Sequence, residues 1–114
     1  MEIRMHRGDL QEIEFEIVDD EGEPVGGIDE IYFTVKETYN KSEALIQKRL
    51  STGEIVEMDG TYHFTIEPSD TDNRGFNSYP FDIEIVGTGL KKTFLGKLYL
   101  EHEVTHASNE GGTG

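Results

Sequence analysis

The residues best suited to chemistry stand near the end of the chain, where His102-Glu103-Val104-Thr105-His106 matches the spacing H-E-x-x-H. On a helix that spacing sets two imidazoles on one face, where both reach one zinc ion and the glutamate serves as general base. The context here is that of a strand. Val104 and Thr105 are β-branched, and the alternating pattern of the preceding residues runs into them. On a strand, residues four apart lie roughly 13 Å from one another at ~3.3 Å per residue. Two nitrogens that must each sit ~2.0–2.1 Å from a zinc ion cannot span that distance. The reading is therefore a polar strand end, with no stoichiometric zinc and no peptidase activity expected.

Two acidic loops invite a calcium reading. Asp70-Thr71-Asp72-Asn73-Arg74-Gly75 begins like an EF-hand loop, but its fifth position is Arg74 and its twelfth is Phe81. The pattern requires a carboxylate or amide at the fifth and a bidentate glutamate at the twelfth. A guanidinium in the ligand shell removes the electrostatic reason for the site, so a polar turn is expected. Asp19, Asp20, Glu21 and Glu23 form a denser acidic turn, where weak calcium binding from Asp19 to Glu23 is left open beside a solvated loop. No metal or other cofactor is assigned. His6 and His63 have no partner in sequence, no serine sits in a nucleophile elbow, and Gly26-Gly27 lacks the lysine of a phosphate-binding loop. No catalytic set emerges, and the expectation is a protein that is not an enzyme.

Composition narrows the classes further. The chain has 114 residues, 24 acidic against 10 basic, and a formal net charge of −14. Such a surface repels phosphate backbones, which argues against nucleic-acid binding. The absence of cysteine excludes disulfides and thiolate chemistry. No apolar run approaches the ~20 residues of a membrane-spanning helix, so membrane insertion is not expected. Met1 to Leu10 lacks the apolar core of a signal peptide. The length suits a single domain.

The elements that would carry any site are strands. Ile31, Phe33 and Val35 alternate with Tyr32, Thr34 and Lys36; Tyr62, Phe64 and Ile66 with Thr61, His63 and Thr65; Tyr79, Phe81, Ile83 and Ile85 with Pro80, Asp82 and Glu84. Phe94, Leu98 and Leu100 repeat the pattern, with Gly96 on the apolar side. Period two gives each strand one apolar and one wet face. Earlier strands are expected from Ile3 to Arg7 and from Glu12 to Val18, the latter with Ile13, Phe15 and Ile17 inward and Glu12, Glu14 and Glu16 outward. Ala44 to Leu50 fits a strand better than a helix, and Glu54 to Glu57 is a short strand. Asp59-Gly60 reads as a tight hairpin turn and Gly87-Thr88-Gly89 as a second one. The sum is an all-β fold, an antiparallel β-sandwich of seven or eight strands over residues 1–106. Residues 107–114 (ASNEGGTG) form a tail expected to be disordered. The expected core is Phe15, Ile17, Ile31, Phe33, Val35, Tyr62, Phe64, Ile66, Phe81, Ile83, Ile85, Phe94 and Leu98. Pro80, which lacks an N–H, places its strand near an edge or a bulge.

Several stretches together resemble the N-terminal domain of phage baseplate upper proteins. They are Arg7-Gly8-Asp9, Asp29 to Lys36, Asn40 to Lys48, Asp59-Gly60-Thr61-Tyr62, Glu67-Pro68-Ser69-Asp70-Thr71 and Tyr79-Pro80-Phe81-Asp82-Ile83. The resemblance covers roughly residues 6–105. It implies an immunoglobulin-like sandwich in tail-tip or baseplate proteins of phages and prophages of Gram-positive bacteria, serving assembly and attachment. It implies no catalytic residues. It implies a virion protein made in the host cytoplasm, with other tail or baseplate proteins, or further copies of itself, as partners. The chain would be a stand-alone version or one domain excised from a longer protein. On this reading Arg4 and Arg7, cationic in an acidic chain, and the aromatics Phe76 and Tyr99 mark the interaction surface. Two alternatives from other classes stand beside it: a small accessory sandwich binding carbohydrate or a cell-surface ligand, and a metal-dependent hydrolase using His102 and His106.

Overall fold

The computed structural model describes residues 1–75 and 77–101. Phe76, the His102 to His106 motif and the expected tail at 107–114 lie outside the described residues. Eight strands and one helical turn follow in order: β1 (Glu2–His6), β2 (Gln11–Glu16), β3 (Ile28–Val35), β4 (Ile46–Arg49), β5 (Val56–Met58), β6 (Thr61–Ile66), α1 (Pro68–Thr71), β7 (Ser78–Gly87) and β8 (Leu90–Glu101). They form two sheets, one of five strands in the order β1-β8-β7-β3-β4 and one of three in the order β2-β6-β5. Every pairing is antiparallel except β1 with β8, which is parallel. The sandwich expected from sequence is present, with that one departure from a purely antiparallel pattern.

Local chemistry explains the joints. Asp59 and Gly60 both take positive φ, 54° and 83°, as a type I′ turn requires, and Met58 pairs with Thr61 across them. Gly89, at φ 69°, closes the β7–β8 hairpin. Gly96 admits no side chain. A Cβ there would stand 2.5 Å from Cζ of Phe81 and 2.7 Å from the Met1 carbonyl oxygen, so the Phe81 ring occupies the space that a side chain would take.

The core lies between the sheets. Phe33 of the larger sheet meets Phe64 of the smaller at 4.5 Å between ring centroids and its neighbour Phe81 at 5.2 Å. Ile31, Phe33, Ile66 and Leu98 are fully buried. Ile3 and Met5 of β1, Ile46 of β4, Leu100 of β8 and Ile55 in the β4–β5 connection also join the core. Three expectations change. Phe15 and Ile17 are only partly buried. Phe94 faces inward yet is 44% exposed, because the three-stranded sheet does not reach over the first half of β8. Pro80 lies in β7, the middle strand of five, with no bulge beside it. It is accommodated because β3 ends at Val35, opposite Phe81. The backbone N and C=O of one residue in an antiparallel strand point the same way. The Pro80 carbonyl still accepts from the Lys36 N–H at 3.0 Å, and the missing donor falls beyond the end of β3.

Candidate functional site

Of the residues proposed from sequence as an interaction surface, Arg4, Arg7 and Tyr99 fall among the described residues. Arg4 and Tyr99 come together: they are register partners on β1 and β8, and the guanidinium stacks 4.1 Å from the ring centroid. Glu2 and Glu101 each approach Arg4 at 3.4 Å, and all three side chains are about half exposed. Ion pairs in such water contribute at most about 1 kcal/mol, but they neutralise Arg4 within its own chain. Arg7 is used elsewhere. Its guanidinium donates to the Arg74 carbonyl at 3.0 Å and ties β1 to the segment before β7.

In each acidic segment one carboxylate holds local structure. Asp19 Oδ1 accepts from the backbone N–H groups of Glu21 (2.9 Å) and Glu23 (3.0 Å), which closes the turn. Asp70 Oδ2 accepts from the Glu67 N–H at 2.8 Å and pairs with the Lys48 ammonium at 2.9 Å. Among the described residues no three His, Asp or Glu side chains converge on a common point.

Two surfaces have the shape of a binding site. The first is an apolar groove at the margin of the sandwich, with a volume of about 190 Å³. Phe15 and Ile17 of the β2 side line it with Phe94, and the buried Ile83 and Ile85 lie at its floor. It lies beside β2, an edge strand of the smaller sheet; Met1 and Val18 also line it, and it adjoins a larger hollow of about 360 Å³ where Asp19 and Val25 stand near Leu90 and Phe94. Sequence reasoning treated Phe94 as core. The periodicity that placed it inward was right, but period two reports which face a residue occupies and not whether that face is covered.

The second is an open hollow of about 290 Å³ on the outer face of the larger sheet, among Tyr32, Thr34, Ser42, Gln47, Asp82 and Glu84. The β3–β4 connection folds over this face and brings Tyr39 beside Thr34 and Asp82. Burial raises the Asp82 carboxyl above its ordinary range, the nearby Glu84 charge adds to this, and Lys36 opposes both. A carboxyl whose folded-state pKa is raised gives stability that is present below the unfolded value and lost as pH rises through the folded one. Asp82 therefore weakens the fold at neutral pH. Asp82→Asn should raise the melting temperature at pH 7, and the gain should vanish near pH ~3.5, below the ordinary Asp value of ~3.9. Thermal melts at the two pH values check this; an equal shift at both would show that the charge is not the cause.

No family model matches the chain, and no curated protein matches it. Among solved structures it is similar to an endo-β-1,4-mannanase from Thermotoga petrophila, at a TM-score of 0.58 and 12% identity. The match covers 89% of this chain and 18% of the mannanase, so the chain spans under a fifth of that protein's length. A likeness at this identity concerns the fold alone.

Proposed function

We propose that the chain is a non-enzymatic assembly module of a phage or prophage tail or baseplate, acting through protein–protein contacts within the virion. One observation supports this reading above the others: an inward-facing aromatic, Phe94, is left 44% exposed in an apolar groove beside an open sheet edge. Uncovered apolar surface next to unpaired strand backbone is a docking surface for another protein chain. The resemblance of the sequence to baseplate upper proteins supplies the setting. On this reading the partners are other tail or baseplate proteins or further copies of the chain. Nucleic acid, membrane insertion and cofactors play no part. Light scattering over a range of protein concentrations, with capture from purified virions or an induced prophage, tests it. Capture of a component identified by mass spectrometry as a tail or baseplate protein is expected; a strict monomer that captures none overturns the reading.

The outer-face hollow favours a second reading, a module that binds carbohydrate. Tyr39 beside Thr34 and Asp82, with Tyr32 and Gln47 nearby, offers ring faces and hydrogen-bonding groups of the kind that hold a sugar. The mannanase acts on a polysaccharide, which agrees with this reading without carrying it. Retardation of the protein in gels containing mannan or cell-wall polysaccharide, abolished by Tyr39→Ala, would place this reading ahead of assembly.

A further inference from the structure

We infer that the groove beside β2 receives one extended strand from a partner protein, and that this strand is basic at alternate positions. The inference rests on the assembly reading and names the partner's chemistry. The register fixes which backbone groups face the open edge. The two-residue turn at Asp59-Gly60 makes Met58 and Thr61 a hydrogen-bonded pair, so Tyr62, Phe64 and Ile66 turn their backbone groups toward β2. Their partners there are Phe15, Ile13 and Gln11. The N–H and C=O groups of Glu12, Glu14 and Glu16 must then point away from β6, off the open edge; of these the Glu12 carbonyl accepts from Nε2 of Gln11 at 3.2 Å, a side-chain bond that an incoming strand would displace. Among the described residues β6 is the only strand paired with β2.

A strand hydrogen-bonded to that edge would lie above the floor of the groove. Every second side chain would point down onto Ile83, Ile85 and Phe94 and complete the cover that the smaller sheet lacks. The side chains between them would stand on the wet face beside Glu12, Glu14 and Glu16, all exposed. Across β6 these glutamates face Thr65, His63 and Thr61, and among the described residues none of the three makes an ion pair. Lysine or arginine on the incoming strand would supply the missing charge, as cross-strand neighbours of opposite sign. The same row repels an acidic strand, including β2 of a second copy of this chain. Charges along an edge also guard against aggregation. A guard alone, however, leaves no reason for the adjoining inner face to be bare.

The test uses the full chain and synthetic peptides. A peptide alternating lysine and isoleucine is compared with one alternating glutamate and isoleucine and with one in which the same lysines and isoleucines stand in blocks. The alternating lysine peptide should bind, should weaken as salt rises, and should slow hydrogen exchange at the amides of Glu12, Glu14 and Glu16. The other two should not. Glu14→Pro removes an N–H that points off the edge and leaves the β2–β6 bonds intact, so it should fold and bind roughly tenfold or more weakly than Glu14→Gln. Phe94→Ser provides a second block that does not touch the β2 backbone. Equal binding by Glu14→Pro and Glu14→Gln overturns the inference, as does protection along β8 in place of β2, or binding by the block peptide as tight as by the alternating one. If virion capture succeeds while the peptide experiment fails, the assembly reading stands and the strand site falls; if both fail, both fall.

Discussion

Phe33→Ala is expected to lower the folding free energy by about 3–5 kcal/mol, the range for truncating a fully buried aromatic. Phe33 is the joint of the sandwich. It has no exposed surface, and its ring meets Phe64 of the other sheet and Phe81 of its own. Alanine removes the ring from both contacts, and neither sheet can close the gap without shifting strands fixed by the β3–β7 and β3–β4 pairings. Phe81→Ala belongs to the same range, with the added feature that its ring fills the space over Gly96. Phe33→Leu keeps most of the volume and should cost less than about 1.5 kcal/mol. Phe94→Ala is the informative control. By sequence pattern it matches Phe81, but it is half-exposed, and its loss should cost about 1 kcal/mol or less. Urea titrations of the four variants decide the matter, provided the dependence on denaturant stays constant. Equal costs for Phe33→Ala and Phe94→Ala would mean that the groove is closed in solution.

This contrast shows how far the sequence could be read. Period two is a property of one strand, and it placed Phe33, Phe64, Phe81 and Ile83 on the buried face because the pleat alone decides that. Turn chemistry was equally local: Asp59-Gly60 announces a type I′ hairpin because few other residues adopt positive φ at both positions. Cover is not local. Phe94 is bare because β2 is the last strand of the smaller sheet, a fact of sheet order that no strand carries in its own residues. Pro80 misled for the same reason. A missing N–H forbids one hydrogen bond on one side, and the expectation of an edge strand assumed a neighbour there. The neighbour, β3, simply stops at Val35. Ile3 and Met5 stand outside the core expected from sequence, yet parallel pairing of β1 with β8 buries both.

The candidate site was less legible than the fold. Arg4 and Tyr99 were named separately, for charge and for aromaticity. Only the register of β1 against β8, which pairs Arg4 with Tyr99 from opposite ends of the chain, puts them in one cluster. The row Glu12, Glu14, Glu16 was visible as a wet face, but its backbone direction follows from the β5–β6 turn on the far side of another strand. Binding surfaces of this kind are made where elements fail to cover one another, and such failures are properties of the assembled sheets.

Asp70→Ala is expected to cost about 2–4 kcal/mol, which is large for a residue in a polar connection. The reason is Lys48. It shares the inner face of β4 with Ile46, two residues before it, and is only 9% exposed, so its ammonium is a cation placed against the core. Asp70 answers it at 2.9 Å through the same oxygen that accepts the Glu67 N–H and fixes the first turn of α1. Removing the carboxylate strands a desolvated charge and opens the helix start together. Breaking a buried pair by deleting one partner costs about 3–5 kcal/mol; the lower range follows because the Asp70 side chain is 22% exposed. Lys48→Met should be mild, about 1 kcal/mol or less, since an apolar chain of similar volume needs no partner there. The double variant is the decisive one. If the cost of Asp70→Ala comes from the stranded ammonium, Lys48→Met in the same chain should recover most of it, and the two changes will be non-additive by about 1–3 kcal/mol. Strict additivity in urea titrations would assign the whole effect to the helix cap and leave Lys48 as a cation that water still reaches.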